Sequence, residues 1–367
     1  MKGLLRYLSP FAPDQSGVVS VLYGMGGILV ICDAGGCTGN ICGFDEPRWF
    51  QGRSAIFSAG LRDMDAILGR DEALVEKLKD AADHLDASFA ALIGTPVPAV
   101  IATDFEALKQ MAKERTGLPV LAIPCTGTRL YDVGEQEAYL ELFRTFAGKD
   151  TSQACNDHVK EETKTDLLGV IGCTPLNTSC INAAPALERY ARGKGFSQAC
   201  CYGMGAGIKE LKCAGRVDKN LVLSPAGIRA AKYLEETFGT PFEIDYPLLS
   251  ETFKEELSTL SKKRVLVIHQ QVAAHAIRET ISGGAPDENI VCGTWFMQEP
   301  DLAAHQDVTF EREDQFISFV ESGNFEVIIG DPNLRRALRA WTGEYIECPH
   351  FAVSGILDEN TTNQVQG

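Results

Sequence analysis

The stretch ILVICDAGGCTGNICGF, Ile28 to Phe44, opens as an apolar run and breaks into glycines. Cys32, Cys37 and Cys42 recur through it at five-residue spacing. A short β-branched run that stops at a glycine-rich turn reads as a buried parallel strand. Seven more runs share its character: FAALIG (89–94), LPVLAIP (118–124), DLLGVIG (166–172), NLVLSP (220–225), RVLVIHQ (264–270), NIVCGTWF (289–296) and FEVIIGD (325–331). Helical stretches lie between them. DEALVEKLKDAADHLD (71–86) has helical apolar spacing and an acidic start that suits the helix dipole. TDFEALKQMAKERTG (103–117) offers a capping box from Thr103 and Glu106 and a closing Gly117. SPAGIRAAKYLEETFG (224–239) and NLRRALRAWTG (333–343) also read as helices closed by glycine. Repeated strand–helix alternation predicts a doubly wound α/β protein. Breaks near Gly148–Ser152 and Ser258–Lys263 divide it into three α/β units, 1–150, 151–260 and 261–367.

Composition narrows the function. A net charge of −16 opposes a nucleic-acid surface, which needs clustered Lys and Arg. The apolar runs are too short to cross a bilayer, and MKGLLRYLSPFAPDQSG lacks the apolar core of a signal peptide. The expectation is a cytoplasmic protein whose 12 cysteines are mostly reduced thiols. No C-x-x-C pair occurs, which argues against zinc ribbons and thioredoxin-type redox sites. YGMGGI and YGMGAGIKEL lack the dinucleotide spacing, and Gly148-Lys149 lacks the rest of a P-loop. No nucleophile elbow accompanies the six histidines. Five of them read as satisfied or exposed. His350, in a proline-flanked turn, stays open as a candidate.

Two thiols stand out. Cys37 follows the strand at 27–31, and Cys125 follows the strand at 118–124. Open α/β sheets bind ligands just past strand carboxyl ends. Thiolates are soft ligands suited to iron–sulfur clusters, which take four protein ligands as a rule. One chain offers two such thiols, and a two-fold pair of chains offers four. Cys32 reads as core and Cys42 as either a spare ligand or a buried thiol. Vicinal Cys200-Cys201, Cys173 and Cys180 read as packing.

These segments resemble nitrogenase component 1 and its relatives. DAGGCTGN resembles the family's cysteine turn, and IPCTGTRLYDVG its later cysteine station, with Asp132 as the acidic residue. NLVLSPAGIRAAKYLEETFGTPF resembles the mid-chain strand–helix segment. KKRVLVIHQQVAAHAIRETI and FEVIIGDPNLRRAL…YIECPHFAVSG resemble the last α/β domain. The resemblance runs from about Ser16 to Gly355. It implies three Rossmann-like domains around a central cleft, the first bearing a cluster. It further implies an interfacial [4Fe-4S] cluster held by Cys37 and Cys125, and a partner subunit that is identical or paralogous. Electrons would come from a separate ATP-hydrolysing iron–sulfur protein, and a small or tetrapyrrole-like molecule would be reduced. A non-catalytic scaffold for metallocluster assembly would use the same cysteines, and a cluster-free α/β binder would use none. The sequence departs from the family at FAPDQSG (11–17), where the first cysteine station would fall. Asp14 stands there: it could substitute as an oxygen ligand, but it reads first as a solvated loop residue. Ser224 stands where nitrogenase holds its active-site cofactor by a cysteine, so reduction of dinitrogen is not expected. Arg48 and Arg53, downstream of Cys37, are candidate docking cations for the electron donor.

Overall fold

The computed structural model describes residues 5–52, 54–149 and 166–358. Three parallel sheets follow one another along the chain. The first holds β1 (Gly27–Ile31), β2 (Ala55–Ser58), β3 (Phe89–Ile93) and β4 (Val120–Ile123), in the order β2-β1-β3-β4. The second holds β5 (Leu167–Ile171), β6 (Gln198–Cys201), β7 (Lys219–Val222) and β8 (Phe242–Ile244), in the order β6-β5-β7-β8. The third holds β9 (Val265–Ile268), β10 (Ile290–Thr294), β11 (Val308–Thr309), β12 (Val327–Gly330) and β13 (Glu344–Glu347), in the order β11-β10-β9-β12-β13. The fold is therefore α/β, with three Rossmann-like parallel sheets. All eight runs read as strands form one, because each is buried on both faces and needs no polar alternation.

Helix ends differ in detail from the sequence reading. The helix Phe105–Thr116 is capped by Asp104, not Thr103: its carboxylate accepts from the N–H groups of Glu106 and Ala107 at 3.1 and 3.0 Å. Gly117 closes it at φ 71°. The segment 333–343 is not a helix beyond one 3-10 turn, Leu334–Ala337. Trp341 draws the chain away by donating its indole N–H to the Phe325 carbonyl at 3.0 Å. The break expected near 148–152 lies partly outside the described residues.

One helix pair fixes the first sheet against the rest. The helix Asp14–Leu22 is buried on every side. It crosses the helix Tyr131–Phe146 backbone to backbone, at Gly17 and Gly134. A Cβ on Gly17 would collide with the Tyr131 carbonyl oxygen, and one on Gly134 with the Asp14 carbonyl oxygen. Gly134→Ala should therefore force the helices apart and cost on the order of 1–3 kcal/mol or more. A thermal midpoint equal to that of the unsubstituted protein would contradict this contact.

Candidate functional site

The carboxyl edge of the first sheet brings the two singled-out thiols to one place. β3 lies between β1 and β4, so Cys37 and Cys125 arrive from its two sides. Their strands stand two spacings apart, about 10 Å at the backbone. Gly94 and Thr95, the residues just past β3, touch one station each. A Cβ on Gly94 would lie 2.6 Å from the backbone N and O of Cys125. The Thr95 hydroxyl donates to the Cys32 carbonyl at 2.8 Å and lies near enough to the Cys37 thiol to favour its thiolate. Cys37 also packs against the core cluster that contains Cys125.

Cys37 sits on a short helical turn, Gly36–Asn40, entered through Gly35 at φ 117°. Asp33 holds this turn: its carboxylate accepts from the Thr38 N–H at 2.8 Å and the Ser58 hydroxyl at 2.6 Å. Cβ positions at Gly35, Gly36 and Gly39 meet nothing, so the turn faces open space. Cys37 is half-buried, and Cys125 is buried within the core. Burial raises the pKa of both thiols, aided by Asp33 at Cys37 and by Asp14 at Cys125. Both are neutral thiols unless a metal draws off the proton. Cys32 is core, as read, and Cys42 is half-buried.

Two side-chain atoms test whether these turns suit an iron–sulfur group. The Thr38 hydroxyl, beside Cys37, is buried without a partner, and so is the Gln15 amide oxygen. The Gln15 oxygen lies 3.5 Å from a Cβ position on Gly127, in the Cys125 turn. The Thr38 hydroxyl can donate to a sulfide beside Cys37, whereas the Gln15 oxygen accepts and needs a donor at the Cys125 turn. Two soft thiols and the Thr38 donor are the ligand and partner types that such a group would take.

Asp14 is not a solvated loop residue. It is fully buried and clasps the Cys125 turn. Its oxygens accept from the N–H groups of Gln15 and Thr126 at 3.0 Å and Gly127 at 2.9 Å, and from Arg129 Nε at 2.9 Å. Both oxygens are so occupied that Asp14 positions the turn and has no lone pair directed elsewhere. Asp132 is buried and accepts from the N–H groups of Val133 and Met297, which ties the second station to the third unit. Ser224 is buried, and its hydroxyl accepts from the Ala226 N–H at 3.3 Å.

Arg48 is not a docking cation either. Its side chain is only 11% exposed and forks onto Glu46, with contacts of 2.7 and 2.6 Å. The guanidinium also donates to the carbonyls of Ser20 and Gly203, both at 2.7 Å, and lies over the Tyr23 ring. It is a tie between the first unit and the loop after β6. Arg53 lies outside the described residues.

A cleft of about 880 Å³ opens beside the thiol turns. Pro13, Asn40, Phe44 and Gly127 line it from the first unit, Ile181 from the second and Phe351 from the third. Phe44 and Phe50 stand exposed on it. His350 lies next to this lining but is itself buried, stacked on His269 at 4.2 Å and bonded to the Tyr131 hydroxyl at 3.0 Å. Burial lowers the pKa of both imidazoles, to about 4 at His269. They are neutral near pH 7. The sequence reading missed Glu135, a fully buried carboxyl hydrogen-bonded to Thr174 and Asn177. Burial raises its pKa to about 8, so it is mostly a neutral acid at pH 7. Nothing in its helical sequence context marks it.

Parallel sheets in series, two thiol turns at one sheet edge and a cleft lined by three units make up an α/β protein with a candidate thiol site. The chain belongs to the nitrogenase component 1 type oxidoreductase family, whose model matches residues 15–278. Members of that family in general bind iron–sulfur clusters, oligomerise and work with a separate reductase component. Solved structures share the fold. "Nitrogenase Cp1 at pH 6.5" superposes with a TM-score of 0.69 at 10% identity, covering 100% of this chain and 93% of the other. "Nitrogenase Cp1 at pH 5" gives 0.69 at 13% identity, covering 100% and 89%. No curated protein matches the sequence. No helix among the described residues is long and apolar enough to cross a membrane.

Proposed function

We propose that this chain is the catalytic, electron-accepting component of a nitrogenase-like reductase system and acts in the cytoplasm. Cys37 and Cys125 would hold a [4Fe-4S] cluster together with the same pair from an identical or paralogous subunit. The observation that carries this reading is the convergence of both thiols on the Gly94–Thr95 strand end, with the unpartnered Thr38 hydroxyl beside Cys37. Two thiols are half of the ligand set such a cluster takes, and the Cys37 turn faces outward, where a second subunit can supply the rest. When bound, the cluster would supply one-electron transfer at low potential. The chain's own part is to position the thiols through Asp33 and Asp14 and to shape the cleft for a small or tetrapyrrole-like substrate. Each of the units 1–150, 151–260 and 261–367 contains one sheet, and we take these as the domains.

Electrons would arrive from a separate ATP-hydrolysing iron–sulfur protein, since this chain carries no P-loop. Cluster reduction by that partner should require ATP. Full-speed reduction without ATP would reject this route and favour a ferredoxin donor. A scaffold for cluster assembly would pass its cluster to an acceptor and turn over no substrate, so multiple-turnover assays with donor and substrate separate the two readings.

A further inference from the structure

The third sheet carries a second group of metal-ligating side chains, away from the thiol turns. His275 comes from the helix Gln271–Ser282, Cys292 from β10 and Asp307 from the loop before β11. One ligand atom from each lies within 4.8 Å of the other two. We propose that His275, Cys292 and Asp307 bind a borderline-soft divalent metal ion, zinc above all, with water in the fourth position.

The donor set is the first argument. An imidazole nitrogen, a thiolate and a carboxylate are the three ligand types zinc takes in proteins. Their spacing is the second. His275 Nε2 stands 3.2 Å from Asp307 Oδ2. The edge of a tetrahedron with bonds of about 2.0 Å is about 3.3 Å, so an ion can enter with little movement of either atom. The third argument is what surrounds the ligands. Asp307 Oδ1 accepts from Arg278 Nη1 at 2.7 Å and from the Cys292 N–H at 3.1 Å, while the Ala304 N–H reaches Oδ2 at 2.9 Å. These contacts fix the carboxylate as outer partners fix metal-bound carboxylates elsewhere, and they leave Oδ2 turned to His275. The Cys292 thiol donates only to the Ala274 carbonyl, at 3.4 Å. The His275 side chain is 15% exposed and the Asp307 side chain is covered, so the group is sheltered on the protein side and reachable past the imidazole.

Before binding, Asp307 is balanced by Arg278. As the divalent ion enters, the Cys292 proton leaves to solvent, and thiolate plus carboxylate offset the metal's two charges. Arg278 stays on the far oxygen and leaves the group with one positive charge, at a position that is partly exposed. The ion would clasp helix, strand and loop at the β10 edge of the sheet.

The test is zinc binding to the full-length protein. One equivalent should bind and withstand a micromolar chromogenic chelator. Zinc-edge X-ray absorption should show one sulfur at about 2.3 Å and lighter ligands at about 2.0–2.1 Å. Cys292→Ser should remove the sulfur shell. Cys292 is buried, so His275→Gln, at a partly exposed position, provides the second check: affinity should fall at least tenfold with the fold intact by circular dichroism. Cys37→Ser and Cys42→Ser should change neither affinity nor sulfur shell. The site is overturned if no zinc withstands the chelator, if the sulfur shell survives Cys292→Ser, or if His275→Gln binds as tightly as the unsubstituted protein.

Discussion

Anaerobically prepared Cys37→Ser and Cys125→Ser proteins should each lose most of their iron, while Cys200→Ser keeps it. Serine oxygen is a harder and weaker ligand for iron than thiolate, and a cubane with a missing corner is labile. The two variants differ in what else they disturb. Cys37 stands half-exposed on an open turn, so its loss should leave the fold intact. Cys125 belongs to the core, so serine there also buries a hydroxyl in place of a soft thiol. That costs about 1–3 kcal/mol unless the hydroxyl finds a partner. Iron content read beside circular dichroism separates ligand loss from unfolding. Full iron in both folded variants would show that these cysteines are not ligands.

Arg48→Ala should be among the most damaging single substitutions. Glu46 is 1% exposed, and its carboxylate has the Arg48 guanidinium as its forked partner. Removing the guanidinium leaves a buried charge unpaired, which costs about 3–5 kcal/mol. The Gly203 and Ser20 carbonyls lose their donor in the same step. A double variant, Arg48→Leu with Glu46→Leu, should recover much of the loss, because no charge is then stranded. Urea unfolding of the three proteins measures this. An Arg48→Ala midpoint equal to that of the unsubstituted protein would restore Arg48 to the surface role that its position near Cys37 first suggests.

The fold was legible wherever burial on both faces leaves a continuous apolar run. GILVI and FAALI announce β1 and β3 in this way, and their glycine-rich ends mark the carboxyl edge. Edge strands carry no such mark. β2 is AIFS, half-exposed, and β11 is two residues long, so neither stands out from a loop. β6 was hidden because QACC reads as thiols before it reads as a strand. At the site, the cysteines could be found because each follows a strand. Asp14 could not, because its burial depends on Thr126, 112 residues away. Arg48 misled for the same reason: a charge beside a loop looks solvated until Gly203, 155 residues on, is seen to accept from it. Glu135 depends on Thr174 and Asn177 from the second unit, and nothing local signals that meeting.

Iron and acid-labile sulfide, measured on anaerobically purified or reconstituted protein together with its native mass, bear most directly on the central claim. Two chains sharing one cubane should carry about four irons and four sulfides, in a brown protein whose broad absorption bleaches on reduction. Folded protein that stays colourless and iron-free after anaerobic reconstitution would contradict the cluster and leave an α/β binder with structural thiols.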